Sequence, residues 1–592
     1  MSIVLRLNRF LLDIQIPCVA IFSPVKANQY INHILNKIKF SNSWTLPIVL
    51  ILLSAILLLT GLSIRSLWGS EGRWAEIVRE MILSGNYFLP TINGKVYFDK
   101  PLLSYWLILP FSTNGIVTEA SSRIPSAISG IGVILLTFLI SRRLFGSKTG
   151  TISAMLLSTS IMFVMWSRTA SAEILNLFMI WLAFLIFLSS NYNGSLISIV
   201  LLYIVGAIAS FCKGPVAPAV IFISIGFYSA IGLLINLKGK GFTYITFKEG
   251  LSSEFFWIFS WKGLLGLFTG LAFFAGLLLV PVVLTGSWQS VELMWRENIL
   301  RFFHPFDHIE PIYIYLKYIP IFFAPWTFFL LASICGIKSW ERDRFNRWII
   351  LIAFAIFTFF TSSGSRRSYY IMPILPALAI ITGKTLKDWF TMKDSPQKKI
   401  IHAAALLTST LLALAGVGLI FAYFHNEIPH HMSQLALGAF AIAGAVMSFI
   451  LFIRIKPFKG LIILFAVVFI VELWVFTIGM AVTEHKRTLR PFSQKAAAYI
   501  KKVSDNKIAL YRVEDSALIF YLKRNPLIYL NNPEEVKKFL YENPDGFIIS
   551  NSSIMPIFQH KQYSGKMVPV IVEKPVLDKE DDSLTLFAIS GN

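Results

Sequence analysis

The densest group of chemically capable side chains in this sequence lies between Ser70 and Trp106. Carboxylates in this stretch could accept a proton, and its cations could bind a phosphate. The charged residues are Glu71, Arg73, Glu76, Arg79, Glu80, Lys95, Asp99 and Lys100. They alternate with rings suited to a membrane interface, which are Trp74, Tyr87, Tyr97, Phe98, Tyr105 and Trp106. The pattern favours a loop at the lipid surface where a lipid-linked substrate meets a carboxylate.

Two further charged residues stand beside apolar segments. Glu173 lies in the stretch RTASAEIL between two apolar runs, and a carboxylate at such a depth favours a functional role. Lys213 lies in FCKGP at the end of another run, where it could bind a phosphate or extend to lipid headgroups. Glu71 has two interpretations, a catalytic carboxylate or a solvated carboxylate at the start of a helix, where acids are stabilised.

Two later segments carry more polar residues. The segment WRENILRFFHPFDHIEPIYIYL contains Arg296, Glu297, Arg301, His304, Asp307, His308 and Glu310. His304, Asp307 and His308 could bind a metal, although a hydrogen-bonded polar loop is the favoured interpretation. The segment SSGSRRSYYIMPILP contains Arg366, Arg367, Tyr369 and Tyr370. Because arginine binds phosphate with two parallel hydrogen bonds, this pair predicts an anionic lipid headgroup as its partner.

The composition indicates that these residues belong to a membrane protein with many spans. Of 592 residues, 55% are hydrophobic and 14% charged, and the mean hydropathy is +0.66. The formal net charge of +21 fits basic cytoplasmic loops better than a nucleic-acid partner. Cys18, Cys212 and Cys335 have no paired spacing, which argues against a disulfide framework and a cysteine metal site.

Runs of apolar residues predict about thirteen spanning helices. The predicted spans are Leu46–Ile64, Ile124–Ile140, Thr151–Trp166, Ile174–Leu188, Leu196–Phe211, Val216–Leu234, Gly263–Leu284, Ile319–Ile337, Trp348–Thr361, Ile371–Thr382, Ile401–Phe424, Leu435–Phe452 and Leu461–Val482. Basic residues fall in alternate loops, which predicts a cytoplasmic N-terminus. The first loop and everything after Val482 then lie outside the membrane on the other face.

The two ends of the chain differ from the span region. Residues 1–45 are expected to be an uncleaved cytoplasmic or interfacial segment, because polar residues break their apolar stretches. Residues 46–483 form the predicted membrane domain, with its first external loop at 65–123. Residues 484–592 predict a small α/β domain, with strands at KIALYRV, LIYL, GFIIS, VPVIVE and LTLFAIS and helices at SQKAAAYIKKV and PEEVKKFLYEN.

The stretch RWAEIVREMILSGNYFLPTINGKVYFDKPLLSYW resembles the first periplasmic loop of ArnT-like and PMT-like bacterial membrane glycosyltransferases of the GT-C class. The similarity extends to RTASAEIL, CKGP, ENILRFF followed by HIEP, and SRRSYYIMPILPALA. It implies a polyprenyl-phosphate sugar donor, an acceptor that is a lipid A-like lipid or a protein, and a site on the outer face of the cytoplasmic membrane. It also implies a GT-C-like membrane fold with an extracytoplasmic C-terminal domain.

The chain departs from this family at the first residue of the loop. The family has an Asp-Glu pair there and uses the Asp as the candidate catalytic residue, whereas this chain has Ser70 before Glu71. Serine does not ionise near neutral pH, so we predict Glu71 as the catalytic carboxylate and Glu173 as the reserve. The residues predicted to bind substrate are Arg73, Tyr97, Asp99, Lys100, Lys213, Arg301, Arg366, Arg367 and Tyr370. Asn298 stands where ArnT-like members often have His, which weakens the metal interpretation.

The chemistry of such a donor agrees with these residue types. A polyprenyl phosphate leaves as an anion, so cations must stabilise it while a carboxylate deprotonates the acceptor hydroxyl. No cofactor is expected to be required, and a divalent metal is the lesser alternative. Other classes are a protein O-mannosyltransferase-like enzyme, a transporter with mid-membrane polar residues, and a non-catalytic lipid-binding protein. Nucleic acid is not an expected partner.

Overall fold

The computed structural model describes most of the chain. The described residues are 44–98, 100–190, 195–296, 300, 303, 309–336, 344–425, 431–454, 456–484, 489–551, 567–572 and 583–589. The chain divides into one unit of residues 1–50 and another of residues 51–592. Of the first unit, only the start of the helix Thr45–Leu59 is described, so the architecture below is that of residues 51–592.

Apolar helices dominate this architecture. Within the described residues, nine helical segments are long and apolar enough to cross a membrane: Glu119–Phe145, Leu196–Lys213, Val216–Lys240, Trp261–Thr285, Phe345–Ser362, Ser368–Trp389, Pro396–Phe424, Ser433–Ile453 and Pro457–Val482. The predicted multi-span helical protein is therefore confirmed. The predicted count of thirteen stays a prediction, since the described residues give nine spans or up to eleven if each of two bent pairs is one span.

Four of the predicted spans differ from straight long helices. Ser147–Ser158 and Ile161–Ser167 meet at 70°, and Ile314–Phe322 and Thr327–Cys335 meet at 119°. Thr45–Leu59 and Glu173–Ser189 are apolar but shorter than the long spans. Shorter connecting helices are Leu103–Trp106, Tyr244–Glu254, Phe256–Phe259 and Gln289–Trp295, whereas the short helix Met480–Thr483 lies at the end of the span Pro457–Val482.

The segment between the first two apolar helices is a folded element. It holds the helix Glu71–Ser84, called the first-loop helix below, which ends at Gly85 in the left-handed conformation. A hairpin follows, in which β1 (Thr91–Ile92) pairs antiparallel with β2 (Lys95–Val96). The segment is not a solvated loop, because the first-loop helix buries its carboxylates Glu71, Glu76 and Glu80.

The C-terminal region contains the predicted α/β sheet. Its strands are β3 (Ile508–Tyr511), β4 (Ile528–Leu530), β5 (Phe547–Asn551), β6 (Met567–Val572) and β7 (Leu584–Ile589), in the order β4-β3-β5-β7-β6. β3 is parallel to β4 and β5, whereas β7 is antiparallel to β5 and β6. The helices are Arg490–Tyr499, Ser516–Leu522 and Pro533–Glu542. Both faces of β3 are buried, which explains its unbroken apolar sequence.

The helix Ser516–Leu522, called the docking helix below, joins this sheet to the first loop. Ala517, Phe520 and Tyr521 share one apolar core with Trp74 and other residues of the first-loop helix. A side chain at Gly72 would overlap the backbone nitrogen of Ala517, so the close approach of the two helices requires glycine there. The C-terminal region therefore packs directly on the segment that contains the candidate site.

Candidate functional site

Among the described carboxylates of the predicted site, Glu71 accepts the most hydrogen bonds. Its Oε1 accepts hydrogen bonds from Arg123 Nε at 2.8 Å and from the backbone N–H of Ala170 at 2.8 Å. Its Oε2 accepts from Arg123 Nη2 at 2.7 Å, Arg65 Nη2 at 2.9 Å and the N–H of Trp68 at 3.0 Å. The residue is 1% exposed. The alternative of a solvated helix-start carboxylate is therefore wrong.

These contacts oppose proton transfer at Glu71. Burial raises the pKa of its carboxyl, but Arg123, Arg65 and the amide of Ala170 outweigh burial and hold that pKa below its usual range. An ionised carboxylate has about four lone-pair sites, and five donors already surround this one. The structure describes a carboxylate that fixes neighbouring groups, whereas the catalytic role predicted for it stays a prediction.

Two buried arginines that the sequence analysis did not single out hold the start of the first loop. Arg123 donates to the carbonyls of Leu62 at 2.7 Å and Ser66 at 2.7 Å. Arg168 donates to the carbonyl of Thr60 at 2.7 Å and to that of Phe476, in the π-helical turn Val475–Gly479, at 3.2 Å. Their positions in SSRIPS and WSRTAS, beside apolar runs, were the available signal, because arginine is costly there without partners.

Glu173 belongs to a second cluster, in which its carboxylate is only partly occupied by hydrogen-bond donors. It begins the helix Glu173–Ser189, and Lys213 ends the helix Leu196–Lys213. Lys213 Nζ lies 2.5 Å from Glu173 Oε2, and each side chain is 13% exposed. Within the described part of the chain, Lys213 is the one hydrogen-bond partner found for the Glu173 carboxylate. Glu173 is therefore paired but still reachable.

Tyrosines and Arg367 complete this second cluster. The ammonium of Lys213 lies 4.4 Å from the ring centroid of Tyr370 and 5.7 Å from that of Tyr369. Arg367 Nη1 donates to Tyr369 Oη at 2.7 Å, and Trp166 packs on Tyr369 with centroids 4.4 Å apart. The structure thus places three residues of the predicted site, Lys213, Arg367 and Tyr370, in one cluster with Glu173.

Arg366 donates its hydrogen bonds to backbone carbonyls outside this second cluster. Its Nη1 donates to the carbonyl of Glu310 at 2.7 Å, and its Nε donates to the carbonyl of Thr361 at 3.1 Å. These bonds tie the segment before the helix Ile314–Phe322 to the 3-10 helix Ser368–Ile374. The two adjacent arginines therefore have different surroundings, and Arg367 is the one that shares the ring of Tyr369 with Lys213.

The remaining predicted residues of the first loop follow the hairpin. Arg73 Nη1 donates to Tyr97 Oη at 2.8 Å and its guanidinium lies over the ring of Trp74. Lys100 is half-buried just before the helix Leu103–Trp106. Asp99 and Arg301 lie outside the described residues, as do His304, Asp307, His308 and Asn298. Among the residues that are described, no group of three potential metal ligands occurs.

Comparison with known proteins gives consistent matches. The family model described as dolichyl-phosphate-mannose-protein mannosyltransferase matches residues 99–238. The undecaprenyl phosphate-alpha-4-amino-4-deoxy-L-arabinose arabinosyl transferase of Shewanella sediminis is 24% identical over 507 residues, which cover 83% of this chain and 87% of that protein. An uncharacterised protein of Aquifex aeolicus is 26% identical over 387 residues, covering 63% of this chain and 70% of its own.

A solved structure supports the fold. The crystal structure of ArnT from Cupriavidus metallidurans bound to undecaprenyl phosphate matches with a TM-score of 0.64 at 19% identity. The match covers 91% of this chain and 97% of that one. The likeness therefore extends over the membrane helices and the C-terminal sheet together.

Proposed function

We propose that this chain, an ArnT-like membrane glycosyltransferase of the GT-C class, transfers a sugar from a polyprenyl-phosphate carrier to a lipid of the lipid A type. The Shewanella sediminis relative is named as a transferase of undecaprenyl phosphate-linked aminoarabinose, and the similar Cupriavidus metallidurans structure holds undecaprenyl phosphate. Each match covers more than four fifths of this chain. The observation that carries the proposal within this molecule is the cluster of Glu173, Lys213 and Arg367, in which a reachable carboxylate pairs with Lys213 and both cations contact Tyr369.

Glu173 is our proposed general base, ahead of Glu71. A base must offer a lone pair to the acceptor hydroxyl within hydrogen-bond reach. Glu173 has a single ion-pair partner among the described residues, whereas Glu71 accepts five hydrogen bonds and has a lowered pKa. This order reverses the one expected from the sequence. Glu71 and Arg123 are proposed to position the loop that leads into the site.

The donor phosphate is proposed to bind the cations near Glu173 and after the hairpin. Arg367 presents a planar guanidinium suited to two phosphate oxygens, and Lys100 and Lys213 supply point charges. Tyr370 lies against the ammonium of Lys213, and Tyr97 accepts a hydrogen bond from Arg73 in the hairpin that precedes Lys100. Asp99 and Arg301 stay part of the proposed site from the sequence, and Arg366 is proposed to order the loop beside it.

The proposed reaction is a direct substitution at the anomeric carbon. The acceptor hydroxyl loses its proton to Glu173 while its oxygen forms the new bond to the anomeric carbon. The bond between that carbon and the phosphate oxygen breaks, and its electron pair leaves with the polyprenyl phosphate. Arg367, Lys213 and Lys100 stabilise the charge on that leaving phosphate. We expect no cofactor to be required, since the leaving group is already an anion.

The membrane orientation is also part of the proposal. The chain is a multi-pass membrane protein, and its basic loops support a cytoplasmic N-terminus in the cytoplasmic membrane. The first loop and the sheet of residues 484–592 would then lie on the outer face. A periplasm-active reporter fused after Asn592 should be active, whereas activity of a cytoplasmic reporter at that position would contradict the orientation.

One assay tests the activity and its main alternative. The purified chain in liposomes is given undecaprenyl phosphate-aminoarabinose with lipid A, and products are identified by mass spectrometry. Modified lipid A is the expected product. The family model on residues 99–238 favours protein mannosyl transfer as a second candidate, so a parallel reaction offers polyprenyl-phosphate mannose and a serine-rich peptide. Glycosylated peptide with unmodified lipid A would favour that candidate, and no product in either reaction would favour a non-catalytic protein.

A further inference from the structure

The tip of the first-loop hairpin is inserted into the C-terminal region. The tip consists of Asn93 and Gly94, whose φ angles of 53° and 73° suit a tight two-residue turn. Asn93 Nδ2 donates to the carbonyl of Leu527 at 2.8 Å, and Asn93 Oδ1 accepts from the N–H of Leu527 at 2.6 Å. The asparagine side chain therefore pairs with one residue of the C-terminal region by two hydrogen bonds, much as a strand would.

A buried carboxylate holds the other side of the same turn. Glu80, on the first-loop helix, accepts from the N–H of Asn93 at 2.5 Å and from that of Gly94 at 3.3 Å. Asn93 is 4% exposed and Glu80 is 2% exposed. The next residue, Lys95, places its ammonium 5.2 Å from the ring centroid of Tyr529. The turn is thus fixed from two directions, by its own helix and by the segment that begins β4.

The fixed turn leads directly into the proposed donor-phosphate residues. The N–H of Tyr97 donates to the carbonyl of Pro90 at 2.8 Å, which closes the hairpin, and Tyr97 Oη accepts from Arg73. Lys100 follows three residues later, so its Cα lies within about 11 Å of the Cα of Tyr97 even in an extended chain. A displacement of the turn would be passed to Lys100 through this short connection.

We propose that Asn93 is a positioning residue for the donor phosphate, through which the C-terminal region sets the place of Lys100. The inference rests on the proposed function, since it assumes that Lys100 binds the donor. The C-terminal region would then help to shape the donor site, although Asn93 and Leu527 are 434 residues apart along the sequence. The residue acts on Lys100 through the hairpin and touches no substrate itself.

Other contacts keep the C-terminal region in place without Asn93. Tyr521 Oη accepts from the N–H of Leu67 at 2.7 Å and donates to Glu119 at 3.1 Å. Arg490 pairs with Glu119 at 2.9 Å and with Glu484 at 3.1 Å. The apolar core that the docking helix shares with the first-loop helix adds to these. Loss of the Asn93 side chain should therefore alter the hairpin locally and leave the packing of the region intact.

The test uses Asn93→Gly in the full-length protein. Glycine keeps the positive φ but removes both bonds to Leu527. Asn114→Gly is the matched control, because Asn114 also has a φ of 53° and precedes a glycine, but its side chain is exposed. The measurements are the dissociation constant for undecaprenyl phosphate and the separate kcat and KM for the sugar donor and the acceptor.

Asn93→Gly should weaken undecaprenyl phosphate and raise the donor KM by on the order of tenfold, as expected for two lost hydrogen bonds. The kcat and the acceptor KM should stay close to the parent values, and Asn114→Gly should match the parent. Asn93→Asp should have an intermediate effect, since it keeps an acceptor for the N–H of Leu527 but sets an oxygen against its carbonyl. It also serves as the test variant if the glycine variant fails to fold.

Three results would overturn the inference. One is unchanged donor affinity in both Asn93 variants, and another is a loss confined to kcat. The third is an equal rise of both KM values together with a lower melting temperature, which would mark Asn93 as merely structural. If the parent and its Asn93 variants bind undecaprenyl phosphate equally well, the result contradicts the role of Asn93 but not the proposed function. A parent that neither binds undecaprenyl phosphate nor transfers a sugar contradicts the proposed function itself.

Discussion

Arg123 and Glu71 form a two-bond ion pair, with Arg123 Nε 2.8 Å from Glu71 Oε1 and Arg123 Nη2 2.7 Å from Glu71 Oε2. Both side chains are 1% exposed. The pair joins the start of the first-loop helix to the span Glu119–Phe145, and the N–H of Ala170 on the same carboxylate adds the segment that leads to Glu173. Three separate parts of the chain therefore meet at one carboxylate.

Arg123→Lys should destabilise the protein strongly. Lysine can replace the charge but not the two parallel bonds or the bonds to the carbonyls of Leu62 and Ser66. Hydrogen bonds to charged groups contribute about 1.5–3 kcal/mol each, so the loss of several should give a clear drop in melting temperature in detergent solution. Glu534→Gln, which removes an exposed pair with Lys537, is the control and should leave it nearly unchanged. An Arg123→Lys variant as stable as this control would show that the pair does not hold the fold.

Arg367→Ala and Lys100→Ala should weaken the donor more than the acceptor. Each removes a positive charge proposed to contact the phosphate, and a charge-assisted hydrogen bond contributes about 1.5–3 kcal/mol. The loss in affinity for undecaprenyl phosphate should therefore be at least tenfold. Lys502→Ala, which removes an exposed lysine of the C-terminal region, is the charge-matched control. Unchanged affinity for undecaprenyl phosphate in both variants would contradict phosphate binding by Arg367 and Lys100.

The stability of the protein should fall as pH rises through about 7 because of Glu76. Burial raises the pKa of Glu76 to about 7 despite its hydrogen bonds from Arg79, and Glu80 nearby adds to the rise. Tyr529 is the other titratable group that senses this carboxylate. The folded state then holds a proton that the unfolded state has lost between about pH 4.5 and 7, so folding is favoured at the lower pH.

Melting temperatures of the parent and Glu76→Gln between pH 5 and pH 8 test this relation. The glutamine variant cannot titrate at this position, so its melting temperature should decline less over that range. Equal slopes for the two proteins would show that Glu76 does not titrate within it. Glu249→Gln, at an exposed carboxylate, should reproduce the parent slope.

The sequence predicted the fold more completely than the site. Apolar runs located the membrane helices, and the change to short apolar runs after Val482 located β3 to β7, because burial sets both patterns. The docking helix was missed, since its unbroken apolar sequence SALIFYL has no helical periodicity. The bends at 70° and 119° were also missed, because a continuous apolar run does not reveal its direction.

The roles of the carboxylates depended on contacts distant along the sequence. Glu71 was predicted to be catalytic because it follows Ser70 at the position of the family's acidic pair. Its partners Arg123 and Ala170 are 52 and 99 residues away along the sequence. The pairing of Glu173 with Lys213 joins two helix ends 40 residues apart. Asn93 was not singled out from the sequence, and its bond to Leu527 joins residues 434 positions apart. Residue types suggested the chemistry in each case. Only the tertiary packing showed which carboxylates are enclosed by hydrogen-bond donors and which are accessible to a substrate.

The proposed division between Glu173 and Glu71 is tested most directly by measuring the turnover and melting temperature of Glu173→Gln and Glu71→Gln in one transfer assay. Glutamine keeps the size of the side chain but removes the base. Glu173→Gln should lose on the order of 100- to 10,000-fold in kcat, with a smaller drop in melting temperature than Glu71→Gln, since its pair with Lys213 is more exposed than that of Glu71 with Arg123. Glu71→Gln should lower the melting temperature, because it breaks the buried pair with Arg123. A Glu173→Gln variant with near-parent turnover, beside a stable but inactive Glu71→Gln, would contradict the account and return the catalytic role to Glu71.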